Sequence, residues 1–141
     1  MLSRDQILNA SDLTIREVPV PEWGGTVHLK ALTGRERDAW EASNRILRGS
    51  DWIPQPVGAR ARLLVRAIVD ETGQRIFEDK DAAALGEKSG SVIDRLFDIA
   101  AELSGVQDSA VEEAAGNSEA ALSGSSTSDS PENSAALSMS Y

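Results

Sequence analysis

The chain has no cysteine, one histidine and few aromatic residues, 4% of 141. Without thiols there is no disulfide framework and no thiolate metal site. A single histidine, His28, is too little for a Ser-His-Asp relay or a histidine-bound metal, and it reads as a half-exposed strand residue. No window approaches 18 apolar residues, so no membrane span is expected. The opening MLSRDQILNASDL has no uninterrupted apolar stretch, so a secretory leader is not expected either. Basic residues are missing from 106–141, which holds six acids of a total net charge of −9. That imbalance opposes binding to nucleic acid, where Lys and Arg must displace counterions from phosphate.

What remains is a body over residues 1–105 and an acidic appendage. The body is rich in Leu, Ile, Val and Ala, enough for a modest core. Motif searches within it yield no chemistry. Asp70-Glu71-Thr72-Gly73 and Asp79-Lys80-Asp81 lack the register of a calcium loop. Gly86-Glu87-Lys88-Ser89 echoes a phosphate loop but lacks its first glycine and its leading strand. Arg60, Arg62 and Arg66 form the densest basic cluster. The acidic total favours a solvated helix face or a protein contact over stacking on single-stranded nucleic acid. The carboxylates sit at predicted caps, in turns or on solvated faces. Catalytic, cofactor and metal residues are therefore expected to be absent.

Local patterns give an ordered series of elements. Ser3 and Gln6 have capping-box spacing and predict a helical turn ending near Asn9. Alternation from Leu13 to Val18, then Pro19 and Pro21, predicts an edge strand. Trp23-Gly24-Gly25 is a turn, and Thr26–Leu32 a second strand with Val27, Leu29 and Ala31 on one face. A hairpin alone is marginal, so its apolar face must rest on a neighbour. Thr33 and Glu36 form another capping box. The helix they open is expected to run to Leu47 or Arg48 with Gly49 at its end, placing Ala39, Trp40, Ser43, Ile46 and Leu47 on a stripe.

Ser50–Pro56 reads as a loop. Val57 or Gly58 to Val69 reads as a helix, with a buried strand over Leu63–Val69 as the alternative. A turn at Asp70–Gly73 and an extended Arg75–Phe77 follow. Asp79 is the expected cap of a short turn through Ala82–Leu85. Ser89 or Ser91 opens the clearest helix, whose stripe is Val92, Ile93, Leu96, Phe97, Ala100 and Leu103, closed by Gly105. Residues 106–116 predict a weak helix. Residues 117–141 are Ser-rich and acidic, and disorder is expected because little apolar surface is available to offset the ordering entropy. The fold class is α+β: an N-terminal β-hairpin on a small bundle of about four helices, with a disordered C-terminal tail.

The tryptophans are the candidates for binding. Trp40 belongs to a helix stripe and reads as core. Trp23 lies at a hairpin turn and Trp52 in a proline-bounded loop, positions open to both interface and core readings.

The pieces V-P-V-P-E-W-G-G-T-V, L-T-G-R-E-R-D-A-W-E, V-D-E-T-G-Q-R-I-F-E-D-K-D, L-G-E-K-S and I-D-R-L-F-D-I-A-A-E-L-S-G, then G-N-S-E-A, stand in this order over residues 3–120. The sequence thereby resembles the tail assembly chaperones of long-tailed bacteriophages. The resemblance implies a non-enzymatic protein of the host cytoplasm, absent from the mature virion. It implies binding to the tape measure protein and recruitment of major tail protein, the latter mainly through a longer frameshifted form. Self-association along the tape measure fits the same picture, with no nucleic acid and no membrane. The apolar groove such a role calls for is expected between the 34–48 and 90–104 helices. That expectation makes Trp23, Trp40, Trp52, Leu96 and Phe97 the partner-binding residues. The alternatives are a head–tail connector or minor tail component kept in the virion, and a small nucleic-acid-binding regulator.

Overall fold

The computed structural model describes residues 1–106. Helix α1 (Arg4–Leu8) opens with the expected capping box. Ser3 Oγ accepts from the Gln6 N–H at 3.2 Å, and Gln6 Oε1 accepts from the Ser3 N–H at 2.9 Å. None of its residues is buried.

Strands β1 (Ile15–Val20) and β2 (Gly25–Lys30) form the expected antiparallel hairpin, with Val18 opposite Val27 and Arg16 opposite Leu29. A single 3₁₀ turn over Pro21–Trp23 joins them and ends on Gly24 at φ 76°. β1 is an edge strand, so the missing N–H of Pro19 breaks no ladder. Val18, Val20 and Leu29 point into the core, and the polar alternates face out.

The sheet has a third strand that local patterning did not separate. Helix α3 (Ala59–Ala67) passes directly into β5 (Ile68–Val69), which pairs with β2 through His28–Val69 and Leu29–Ile68. Both readings of residues 63–69 are thus partly met: helix to Ala67, strand beyond. The change falls at two consecutive β-branched residues followed by a turn. There Asp70 Oδ1 accepts from the Thr72 and Gln74 N–H groups, at 2.8 and 3.0 Å.

α2 (Gly34–Ser43) begins as expected, with Thr33 Oγ1 accepting from Glu36 N–H at 3.1 Å and Glu36 Oε1 from Thr33 N–H at 2.8 Å. It ends one turn earlier than the sequence predicts. Residues Arg45–Arg48 are strand β3, paired with β4 (Asp51–Pro54), and Gly49 at φ 64° belongs to the turn between them. The expected stripe is therefore cut: Trp40 is the only buried residue of α2, and Ala39, Ile46 and Leu47 are exposed.

α3 is the central element. Six of its nine residues are buried, and it packs against α2, α4 (Ala82–Leu85) and α5 (Gly90–Ser104). Its three remaining residues, Arg60, Arg62 and Arg66, are partly exposed and form its polar side. α5 buries Val92, Ile93, Leu96, Phe97 and Ala100 of the expected stripe, and Leu103 is partly buried against the same core. Gly105 at φ 71° ends it, and Val106 N–H closes back on the Ala101 carbonyl at 2.8 Å. The turn before α4 is capped by Glu78 and Asp81 reciprocally, rather than by Asp79. Asp79 instead takes Arg75 at 2.9 Å and Arg66 at 3.6 Å. The 106–116 helix and the disorder expected over 117–141 lie outside the described residues, apart from Val106.

Candidate partner-binding site

Of the five residues expected to bind partners, four pack in or against the core and one stands outside it. Trp40 and Leu96 are 0% exposed and Phe97 2%. The rings of Trp40 and Phe97 meet with centroids 6.2 Å apart, and the Trp40 indole N–H donates to the Ala59 carbonyl at 2.8 Å. The groove expected between the second and last helices is occupied by α3, which packs against both. Trp23 is half-buried against the same core. Trp52 alone of the five stands out, 64% exposed.

Trp52 stands on the β3–β4 hairpin. Its cross-strand partner is Leu47, and the next pair is Ile46 with Ile53. Side chains alternate along a strand, so Arg45, Leu47, Trp52 and Pro54 share one face, and Ile46, Arg48, Asp51 and Ile53 the other. All four large apolar side chains are exposed: Ile46 36%, Leu47 52%, Ile53 40% and Trp52 as above. The hairpin forms a sheet of its own, separate from β1-β2-β5. It is an arm with apolar groups on both faces, where a soluble monomer ordinarily keeps such patches small.

The arm is firmly rooted. Arg62 on α3 donates through Nε to Ser43 Oγ at 3.1 Å and through Nη2 to Asn44 Oδ1 at 3.0 Å, at the arm's entry. The same guanidinium donates to the carbonyls of Gln55 at 2.7 Å and Val57 at 2.8 Å, at its exit. Gln55 N–H closes the base on the Asn44 carbonyl at 2.6 Å. Asn44 is the one buried polar residue among those described. Burial, and then the charge of Arg66, hold the Arg62 guanidinium below its ordinary pKa. Beside the root lies a depression of about 530 Å³, lined by apolar Val57, Ala82 and Ala83 and by charged Arg62, Asp79, Lys80 and Glu87.

The basic cluster is spent inside the fold. Arg60 lies over the Phe97 ring at 5.5 Å and pairs with Asp94 at 3.2 Å. Arg66 donates to the Arg62 carbonyl at 2.7 Å. Among the described residues no group of three or more potential metal ligands occurs, and no helix is long and apolar enough to cross a membrane.

Sequence reading missed the arm because a helix cap and an apolar stripe both pointed onward past Ser43. A signal was present nonetheless. Ile46-Leu47 and Trp52-Ile53 flank Arg48-Gly49-Ser50-Asp51, two apolar pairs about a glycine turn.

The molecule is thus a small α+β body that extends a rooted, two-stranded apolar arm. Residues 3–117 match the family model described as phage tail assembly chaperone, and the chain belongs to that family. The fold is similar to that of the bacteriophage HK97 tail assembly chaperone, with a TM-score of 0.51 and 23% identity over 74% of this chain and 95% of that one. No curated protein sequence matches the chain.

Proposed function

We propose that this chaperone coats the tape measure protein during tail assembly and helps recruit major tail protein, and that it leaves before the virion is complete. It acts in the host cytoplasm, in several copies along one client. The observation that carries the reading is the exposed β3–β4 arm. A client that is long, helical and poorly soluble before assembly offers apolar stripes, and Leu47, Trp52, Ile46 and Ile53 offer apolar contact in return. The net charge of −9 keeps such a complex dispersed. A longer product made by frameshifting, with contacts to major tail protein, belongs to the same reading, and its gene should show a slippery heptamer and an overlapping frame.

The test is co-expression with the long protein encoded downstream. Solubility of that protein only in the presence of this chain supports the proposal. Stoichiometric copies of this chain in purified particles would overturn it in favour of a structural component.

A further inference from the structure

The arm is a sheet of two strands, so each strand has one free edge, and the two edges differ. At the root, the Gln55 N–H donates to the Asn44 carbonyl at 2.6 Å. Bonded and non-bonded pairs alternate along an antiparallel ladder. In the register of the arm the bonded pairs are therefore Asn44 with Gln55, Ile46 with Ile53 and Arg48 with Asp51. The backbone N–H and C=O groups of Arg45 and Leu47 point away from the hairpin on the β3 side. On the β4 side Trp52 and Pro54 do so, and Pro54 has no N–H to offer, which blunts that edge. The edge of β1 is blunted in the same way. There the Ala31 N–H bonds to the Thr14 carbonyl at 2.9 Å, and the register then turns Ile15, Glu17 and Pro19 outward. β3 contains no proline, and all four of its residues are exposed.

Side chains decide what such an edge accepts. β3 reads Arg45-Ile46-Leu47-Arg48, an apolar pair between two cations. On its filled side β4 shows a matching strand, with Asp51 opposite Arg48, Trp52 opposite Leu47 and Ile53 opposite Ile46. A second copy of β3 does not match. Laid antiparallel over the same span it sets Arg45 opposite Arg48, and laid parallel it sets each arginine beside its own copy. Like charges so placed are destabilising. A second copy of β4 does not match either, because its open edge carries Pro54. The complementary strand belongs to another protein and has an acid at each end of an apolar pair.

We propose that the β3 edge takes an extended segment of another protein as a third strand of the arm. The segment bonds through its main chain to Arg45 and Leu47. Its apolar pair lies beside Ile46 and Leu47, and its acids lie beside Arg45 and Arg48. Main-chain bonds supply the affinity in this mode of recognition, and the alternating side chains select the partner. The contact uses the edge of the arm and leaves both apolar faces open, so it does not rest on the client reading above.

The probe is the peptide T-T-E-V-V-E-T-T, whose symmetry suits either strand direction. It is titrated into the isotope-labelled full chain, and exchange of amides with water is followed by NMR. At about ten times its Kd the peptide should slow exchange at Arg45 and Leu47 about tenfold and leave Trp52 unchanged. T-T-K-V-V-K-T-T should bind roughly 2–30-fold more weakly, the range expected of two cross-strand ion pairs. The double substitution Arg45→Glu with Arg48→Glu should reverse that preference, and methylation of alternate peptide nitrogens should abolish binding. Three results overturn the proposal. One is no binding at millimolar peptide. Another is binding that leaves exchange at Arg45 and Leu47 unchanged, since the peptide then sits on a face. The third is equal affinity for the two peptides. None of them bears on client solubility, so the two readings fail separately.

Discussion

The Arg62 guanidinium meets the Asn44 side-chain oxygen at 3.0 Å and ties the central helix to the residue at which α2 stops. Four acceptors at the base of the arm converge on that one side chain. Replacing Arg62 by alanine strips Asn44 Oδ1 of its donor in a buried setting, at a cost of about 1–3 kcal/mol. For a domain of this size, each kcal/mol lowers the melting temperature by roughly 4–8 °C. Amide exchange over 45–54 should accelerate more than in the β1-β2-β5 sheet. Arg62→Lys should be intermediate, because a point charge cannot serve a fork of acceptors.

Trp40 and Trp52 should respond in opposite ways. Trp40→Ala empties a fully buried site beside Phe97 and is expected to cost about 3–5 kcal/mol, read by chemical denaturation. Trp52→Ser lies on the surface and should change stability by less than about 0.5 kcal/mol. The same substitution should reduce the yield of soluble co-expressed tape measure protein. Equal effects of the two substitutions on stability would show that the arm is part of the core.

Gly49 tests the arm from its tip. It sits at φ 64° with open space where a Cβ would stand, so a substitution there costs only backbone strain. For Gly49→Val that strain is about 1–2 kcal/mol. A two-stranded hairpin has little stability to spare, so exchange of its amides should rise about 5–30-fold. Exchange in β1 and β2 should not change. Gly49→Asn should be milder, since asparagine tolerates this conformation.

Glu22 and Arg95 join the β1–β2 turn to α5 through two parallel bonds of 2.9 and 3.0 Å. The Arg95 hydrogen bond is the main reason the Glu22 carboxyl falls from 4.5 to about 2. The folded state thus holds the ionised form more tightly than the unfolded state does. The stabilisation is complete above pH 4.5 and is lost as pH falls toward 2. Asp79, lowered chiefly by its bond from Arg75, and Asp70, lowered chiefly by Thr72, add to the slope in the same direction. Glu22→Gln should flatten the pH dependence of the melting temperature between 4.5 and 2, and 1 M salt should weaken the effect because the pair is exposed.

The elements legible in the sequence were those whose causes are local. Two capping boxes, at Ser3 and Thr33, the β1–β2 hairpin and the α5 stripe each depend on residues a few positions apart. What escaped depends on distant partners. Ser43 and Asn44 end α2 amid bonds from Arg62 and Gln55, 11 to 19 residues away in the chain. Ile68 and Val69 become a strand because β2 offers a free edge far back in the sequence. Trp40, Leu96 and Phe97 were correctly seen as apolar positions on helix stripes, but a stripe does not say whether a third helix already lies on it. Here α3 does, and Trp52 is the aromatic left accessible.

The arm's alternation has one last consequence. A surface element with a single apolar face is saturated by one neighbour. An element with Leu47 and Trp52 on one side and Ile46 and Ile53 on the other can be sandwiched between two. Its valence is two, so ten residues can contact two neighbours at once, one on each side.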